Sequence, residues 1–164
     1  MNIHRGDQFI EHLQRMGTPA ARDMQILSMV ILLKTAAVDG ITDPIELQKA
    51  MTGMAKLTSL SEQEIGEVTE IAMYISNHRR HYQEIVAQLN DRLDTSQKIE
   101  LLALVWAVIG ADGQALKSEC AFAREIRMQF NLTITQAVYA TTIAYERYIS
   151  PSQPRVVLSQ DDEG

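Results

Sequence analysis

The sequence predicts an all-α single domain of seven to eight helices, arranged as two divergent, pseudo-symmetric halves. Three observations predict it. Apolar residues recur with helical period from Phe9 to Ile149, and no set of segments reads as paired strands. Two stretches, Met24–Val38 and Ile99–Ala111, are apolar nearly all round, broken only by Lys34 and Glu100, as in helices surrounded by other helices. Each of these stretches runs into an Asp-Gly turn, Asp39-Gly40 or Asp112-Gly113.

The elements come in order along the chain. Asp7 caps a first helix whose Phe9, Ile10, Leu13 and Met16 share a face before Gly17 stops it. A second helix covers about Ala20–Val38 and is central. Asp43 caps the third, with Pro44 at its first position, where a missing N–H costs nothing. Ile45, Ala50, Met51, Met54 and Leu57 are its expected buried face. Ser61 and Glu64 form a capping box that opens a fourth helix, with Ile65, Val68, Ile71, Ala72 and Ile75 inward. A fifth runs from His78 to about Leu89 on Tyr82, Ile85, Val86 and Leu89, and 90–94 is a hinge. The second apolar helix covers about Ser96–Gly110, followed by helices over Lys117–Phe130 and Thr133–Ile149. Residues 1–150 make one domain, with halves at about 20–77 and 95–149, and 151–164 form a polar, frayed tail.

The halves share a register. Asp39 and Asp112 lie 112 − 39 = 73 residues apart, and at that offset Glu46 matches Glu119, so each half holds Asp-Gly-x5-Glu. A shift of 72 aligns Leu60-Ser61-x-x-Glu64 with Leu132-Thr133-x-x-Gln136, two capping boxes behind a hydrophobic residue.

Composition narrows the function. A net charge of −6 argues against a nucleic-acid binder, whose phosphate contacts need a basic face. Cys120 is the lone cysteine, so no intrachain disulfide forms, and a reducing compartment fits. It reads as a buried small thiol, with no neighbouring Lys or His to activate it. The N-terminus has no apolar run for a signal peptide, and no stretch reaches the ~20 apolar residues of a membrane helix. The expected location is cytoplasmic, or peripheral at the inner membrane through the basic patch His78-Arg79-Arg80-His81. The histidines of that patch share a helix face, but the patch reads first as solvated surface. Trp106 and most of the eight methionines read as core. No phosphate loop, zinc motif or nucleophile elbow is present, so the chain is read as not an enzyme.

The acidic turns are the candidate site. Asp39 and Asp112 lie at helix C-termini, where the dipole opposes negative charge by about 0.3–1 kcal/mol, and a bound cation would offset that. The candidate metal ligands are Asp39, Asp43, Glu46, Asp112 and Glu119. Their oxygens suit calcium or magnesium before zinc. Gly40–Glu46 and Gly113–Glu119 match positions six and twelve of an EF-hand loop, but Thr35 and Val108 stand where its first Asp belongs, so neither turn is one. Asp-Gly is also an ordinary turn pair, and Glu46 follows Asp43 at capping-box distance. In the second turn Leu116 replaces the capping Asp while Glu119 keeps its place, which capping does not explain.

At these residues the chain resembles the TerB-like family of tellurite-resistance proteins. The resemblance rests on Leu101–Gly113 followed by Glu119, and on Ala36-Ala37-Val38-Asp39-Gly40 followed by Glu46, and covers roughly residues 20–148. It implies two similar helical halves and an acidic cluster that binds divalent cations. It also implies a role in resistance to tellurite and other metal or envelope stress. The expected function is therefore a non-enzymatic, cation-binding module. The alternative is a protein-interaction adaptor, like the related domain of some membrane-anchored J-domain co-chaperones, whose acidic turns are structural caps. A protein partner is expected on either reading, and a homodimer is compatible although no apolar seam marks one.

Overall fold

The computed structural model describes residues 19–38, 40, 42–78 and 82–149, with nothing given for the side chains of residues 19–21, 78, 82 and 112. The expected first helix, the tail and most of the basic patch lie outside the described residues. Seven α-helices are present among the described residues, and no strand: α1 (Pro19–Ala36), α2 (Pro44–Thr58), α3 (Glu62–His78), α4 (Tyr82–Arg92), α5 (Thr95–Ile109), α6 (Lys117–Gln129) and α7 (Ile134–Ile143). A 3-10 turn, Gly110–Asp112, follows α5, and a π segment, Ala144–Tyr148, extends α7.

α1 and α5 are the central helices. α1 packs against α2, α3, α4, α5 and α6, and α5 against α1, α2, α6, α7 and the π segment. Their all-round apolar sequences are the cause. Ile26, Leu27, Met29–Leu33 on α1 and Leu101–Val105, Ala107–Ile109 on α5 are all buried. Each large side chain among them contributes about 1.5–3 kcal/mol relative to exposure. Trp106 is half-buried against this core, and Cys120 is buried.

The caps follow the sequence closely. Asp43 is the N-cap of α2, its Oδ1 accepting from the Ile45 amide at 2.8 Å, with Pro44 at the first position. Ser61 and Glu64 close a capping box on α3 with two bonds of 3.1 Å. Thr133 and Gln136 do so on α7, at 2.8 and 3.1 Å. A further box, Asp94 with Gln97, opens α5 inside what the sequence suggested was a hinge. The connection is correspondingly tight, since α4 runs on to Arg92.

Three expectations are corrected. His78 ends α3, and the next helix opens at Tyr82. The buried stripe of α2 is Glu46, Ala50, Gly53 and Met54, the i, i+4, i+7, i+8 pattern of one helix face. Ile45 and Leu57 fall beside that stripe and are 58% and 39% exposed. The last helix does not continue as α to Ile149. Its final turn widens, the Ile149 amide reaching back five residues to the Ala144 carbonyl at 2.9 Å.

Gly53 faces α5: a Cβ built there would lie 2.6 Å from Leu104 Cδ2, so a larger residue makes that buried leucine side chain shift. Two lysines of α2 reach the end of the last described helical segment. Lys49 Nζ donates to the Tyr148 carbonyl and Lys56 Nζ to the Arg147 carbonyl, both at 2.6 Å. Cations there meet the negative end of the helix dipole. Arg147 turns its own guanidinium to Glu100 Oε1 at 2.7 Å.

Candidate functional site

The acidic turns lie where helices end and begin. After α1, the Ala37 and Val38 amides bond back to Lys34 and Thr35, a tightening turn, and Gly40 takes φ 91°. After α5, the Gly113 amide bonds to the Gly110 carbonyl at 3.1 Å and Gly113 takes φ 82°. Positive φ is the reason for glycine at both places, because a Cβ there meets its own backbone.

The two turns are brought into one region by α2. Its C-terminal residues Leu57 and Thr58 line a pocket with Ser96 and Gln97 at the start of α5, and Gly53 meets Leu104 midway, so the helices run antiparallel. The start of α2, with Asp43 and Glu46, therefore points toward the end of α5, and α2 packs against the Gly110–Asp112 turn.

Glu46 and Glu119 are both buried, at 5% and 3% exposed. Burial of glutamate is rare unless its charge is compensated. Glu119 Oε1 accepts from the Leu116 amide at 2.9 Å. Leu116 has the backbone of an N-cap but no side-chain oxygen, so Glu119 supplies the back half of a capping box whose front half is missing. Capping thus explains one oxygen of Glu119, where the sequence suggested that it explained none. In the first turn the corresponding amide, that of Asp43, donates instead to the Ala36 carbonyl at 3.3 Å.

Of the other candidates, Asp43 commits Oδ1 to its cap, Asp39 lies outside the described residues, and Asp112 is described in its backbone alone. Among the described residues no group of three or more His, Cys, Asp and Glu side chains is close enough to hold a metal ion. The side chains of the two turn aspartates stand outside that statement. The described donors are carboxylate oxygens at two buried positions, a set whose chemistry suits a hard cation. No helix among the described residues is long and apolar enough to cross a membrane.

One feature carries no mark in the sequence pattern. A pocket of about 340 Å³ lies at the opposite end of α1, α2 and α5 from the acidic turns, with Met24, Met54, Leu57 and Leu101 in its walls beside Gln25 and Glu100. Its residues come from three separated segments at no recurring spacing, so no motif could have revealed it.

Neither a curated protein nor a solved structure matches the chain. A family model does, that of tellurite resistance protein TerB, over residues 25–141. The match takes in most of α1, all of α5, both acidic turns and both buried glutamates, and the all-helical architecture agrees with it. The family is named for a resistance rather than for a reaction, and this chain belongs to it.

Proposed function

We propose that the protein is a non-enzymatic module of the tellurite and metal stress response that binds a divalent cation between its two acidic turns. The observation that carries this reading is the matched burial of Glu46 and Glu119 at the starts of α2 and α6, with α2 lying against the Gly110–Asp112 turn. Asp39, Asp43, Glu46, Asp112 and Glu119 would hold the ion. Calcium or magnesium suits their oxygens better than zinc.

The test is thermal melting in chelator and then with calcium, magnesium, manganese and zinc singly. A cation at a hundredfold excess over its dissociation constant stabilises by about 2.7 kcal/mol. At about 2–4 °C per kcal/mol that is a shift of several degrees. Glu46→Gln and Asp112→Asn should each remove it. No shift with any cation, in a protein that otherwise melts cooperatively, would sink the reading.

A second reading, an interaction adaptor, draws on the outer face of α7. Ile134 and Val138, one turn apart, and the neighbouring Tyr139 are all well exposed. A partner captured equally with and without chelator, and lost with Ile134→Glu and Val138→Glu, would favour it.

A further inference from the structure

The pocket at the far end from the acidic turns is independent of the cation reading, and it is an apolar groove. Met54 and Leu101 are its buried floor, while Met24, Leu57 and Leu93 keep part of their surface exposed at its rim. Three polar side chains around it are committed elsewhere. The Thr58 hydroxyl donates to the Met54 carbonyl at 2.6 Å, Gln97 closes the capping box of α5, and Glu100 is held by Arg147 at 2.7 Å. Small-molecule sites add a few aimed polar groups to an apolar wall, and this groove offers mainly the wall. That suits the apolar face of another segment.

The chain carries such a face next to the groove. Residues 1–18 lie outside the described residues, and their sequence predicts a helix from Asp7 whose Phe9, Ile10, Leu13 and Met16 share one side. Gly17 stops it and Pro19 opens α1, which leaves Gly17 and Thr18 as the connection. Two residues suffice to join antiparallel helices. Such a return brings Leu13, Ile10 and Phe9 level with about residues 22–26 of α1, where Met24 and Gln25 line the groove. The other sides of these turns of α1 are taken. Arg22, Ile26 and Met29 are buried, and Asp23 lies 3.9 Å from Arg92 of α4. The groove is the apolar side left open. The family match starts at residue 25, so the segment stands outside the shared domain.

We propose that residues 7–16 fold back along α1 and seat Phe9, Ile10 and Leu13 in the groove between α1, α2 and α5. The tether favours this occupant over a free one. A short connection holds the segment at an effective concentration in the millimolar range before any contact forms. Asp7 and Glu11, one turn apart on the opposite side of the predicted helix, then face solvent.

The experiment is methyl NMR of the full chain, labelled at Ile, Leu and Met. Nuclear Overhauser contacts are expected from Ile10 and Leu13 to Met24 and Leu57. Ile10→Glu should abolish them and lower the melting temperature by about 3–10 °C. Glu11→Gln, on the opposite side, should leave both unchanged. Leu57→Glu tests the groove itself: it places a charge on the partly exposed rim and should also abolish the contacts of Ile10 and Leu13 with Met24. The proposal is overturned if the folded parent shows no contact between these methyls, which leaves the groove to a separate partner. It is overturned if contacts appear only between differently labelled copies in a mixed sample, since a second copy then fills the groove. Equal melting of Ile10→Glu and Glu11→Gln overturns it as well.

Discussion

The first acidic turn and the second share a spacing, a left-handed glycine and a buried glutamate, yet they close their helices differently. In the first, the side chain of Asp43 satisfies an amide of α2, and its own amide goes back to α1 through the Ala36 carbonyl. In the second, Leu116 has no side-chain oxygen to offer, and Glu119 reaches back to the Leu116 amide instead. The capping work has moved from the residue before the helix to one inside it. What stays constant is the placement of a carboxylate at the buried head of the helix, and the cap alone does not account for that placement in both turns.

Substitutions test how far the two turns are equivalent. The largest effect is expected where both turns depend on one contact. Gly53→Val forces a branched side chain against Leu104 and should cost about 1–3 kcal/mol, read as a lower melting temperature. If the seat of α2 on α5 holds the turns in one frame, any cation response should disappear with it. An unchanged melt would show slack between these helices and remove the frame.

Next come the glycines. Gly40→Ala and Gly113→Ala each place a Cβ at positive φ and should each cost about 1–2 kcal/mol. Equal losses support equivalent turns, whereas a loss at one position alone breaks the equivalence. Smaller again, and opposite in sign, is Leu116→Asp, which gives the second turn the cap of the first. Leu116 is exposed, so little packing is lost, and a gain of about 0.5–1 kcal/mol is expected in chemical denaturation. A loss there would show that Glu119 already does all a cap can do.

The smallest effect is a control outside both turns. Burial first, and then the nearby Glu100 carboxylate, raises the pKa of Tyr148. The folded state therefore holds this proton more tightly than the unfolded chain. The stability this contributes is complete below the ordinary tyrosine value of about 10 and is lost as pH climbs through the folded value. Lys49 works the other way, since desolvation and then Lys56 lower its pKa, and stability from this group rises with pH in the alkaline range. Tyr148→Phe removes the first contribution, so its melting temperature should fall less steeply than the parent's above pH ~10. The cation response should be untouched.

The fold was legible because its two decisive signals are local. An all-round apolar helix has one place to go, and α1 and α5 took it. Ser61 with Glu64 and Thr133 with Gln136 specify their bonds within four residues, as sequence spacing can. The errors came where a choice depended on neighbours far along the chain. On α2, Ala50 and Met54 are buried as expected, but the packing on α5 turns Glu46 and Gly53 inward beside them and leaves Ile45 and Leu57 partly exposed. Of the candidate site, the repeated spacing singled out Glu46 and Glu119, but their burial was not readable from it. The role of Glu119 as a cap was not, because capping boxes are sought from a polar first residue and Leu116 is not one.

The π segment has a consequence for how the chain tolerates length changes. Its bond from Ile149 to Ala144 spans one residue more than an α-helical bond, so the last turn contains the equivalent of a single-residue insertion. Deleting one residue there would restore α register and rotate the rest of that turn by roughly 100° about the axis. Tyr148 and the two carbonyls gripped by Lys49 and Lys56 would swing off α2. This helical end records its own length in the reach of two lysines.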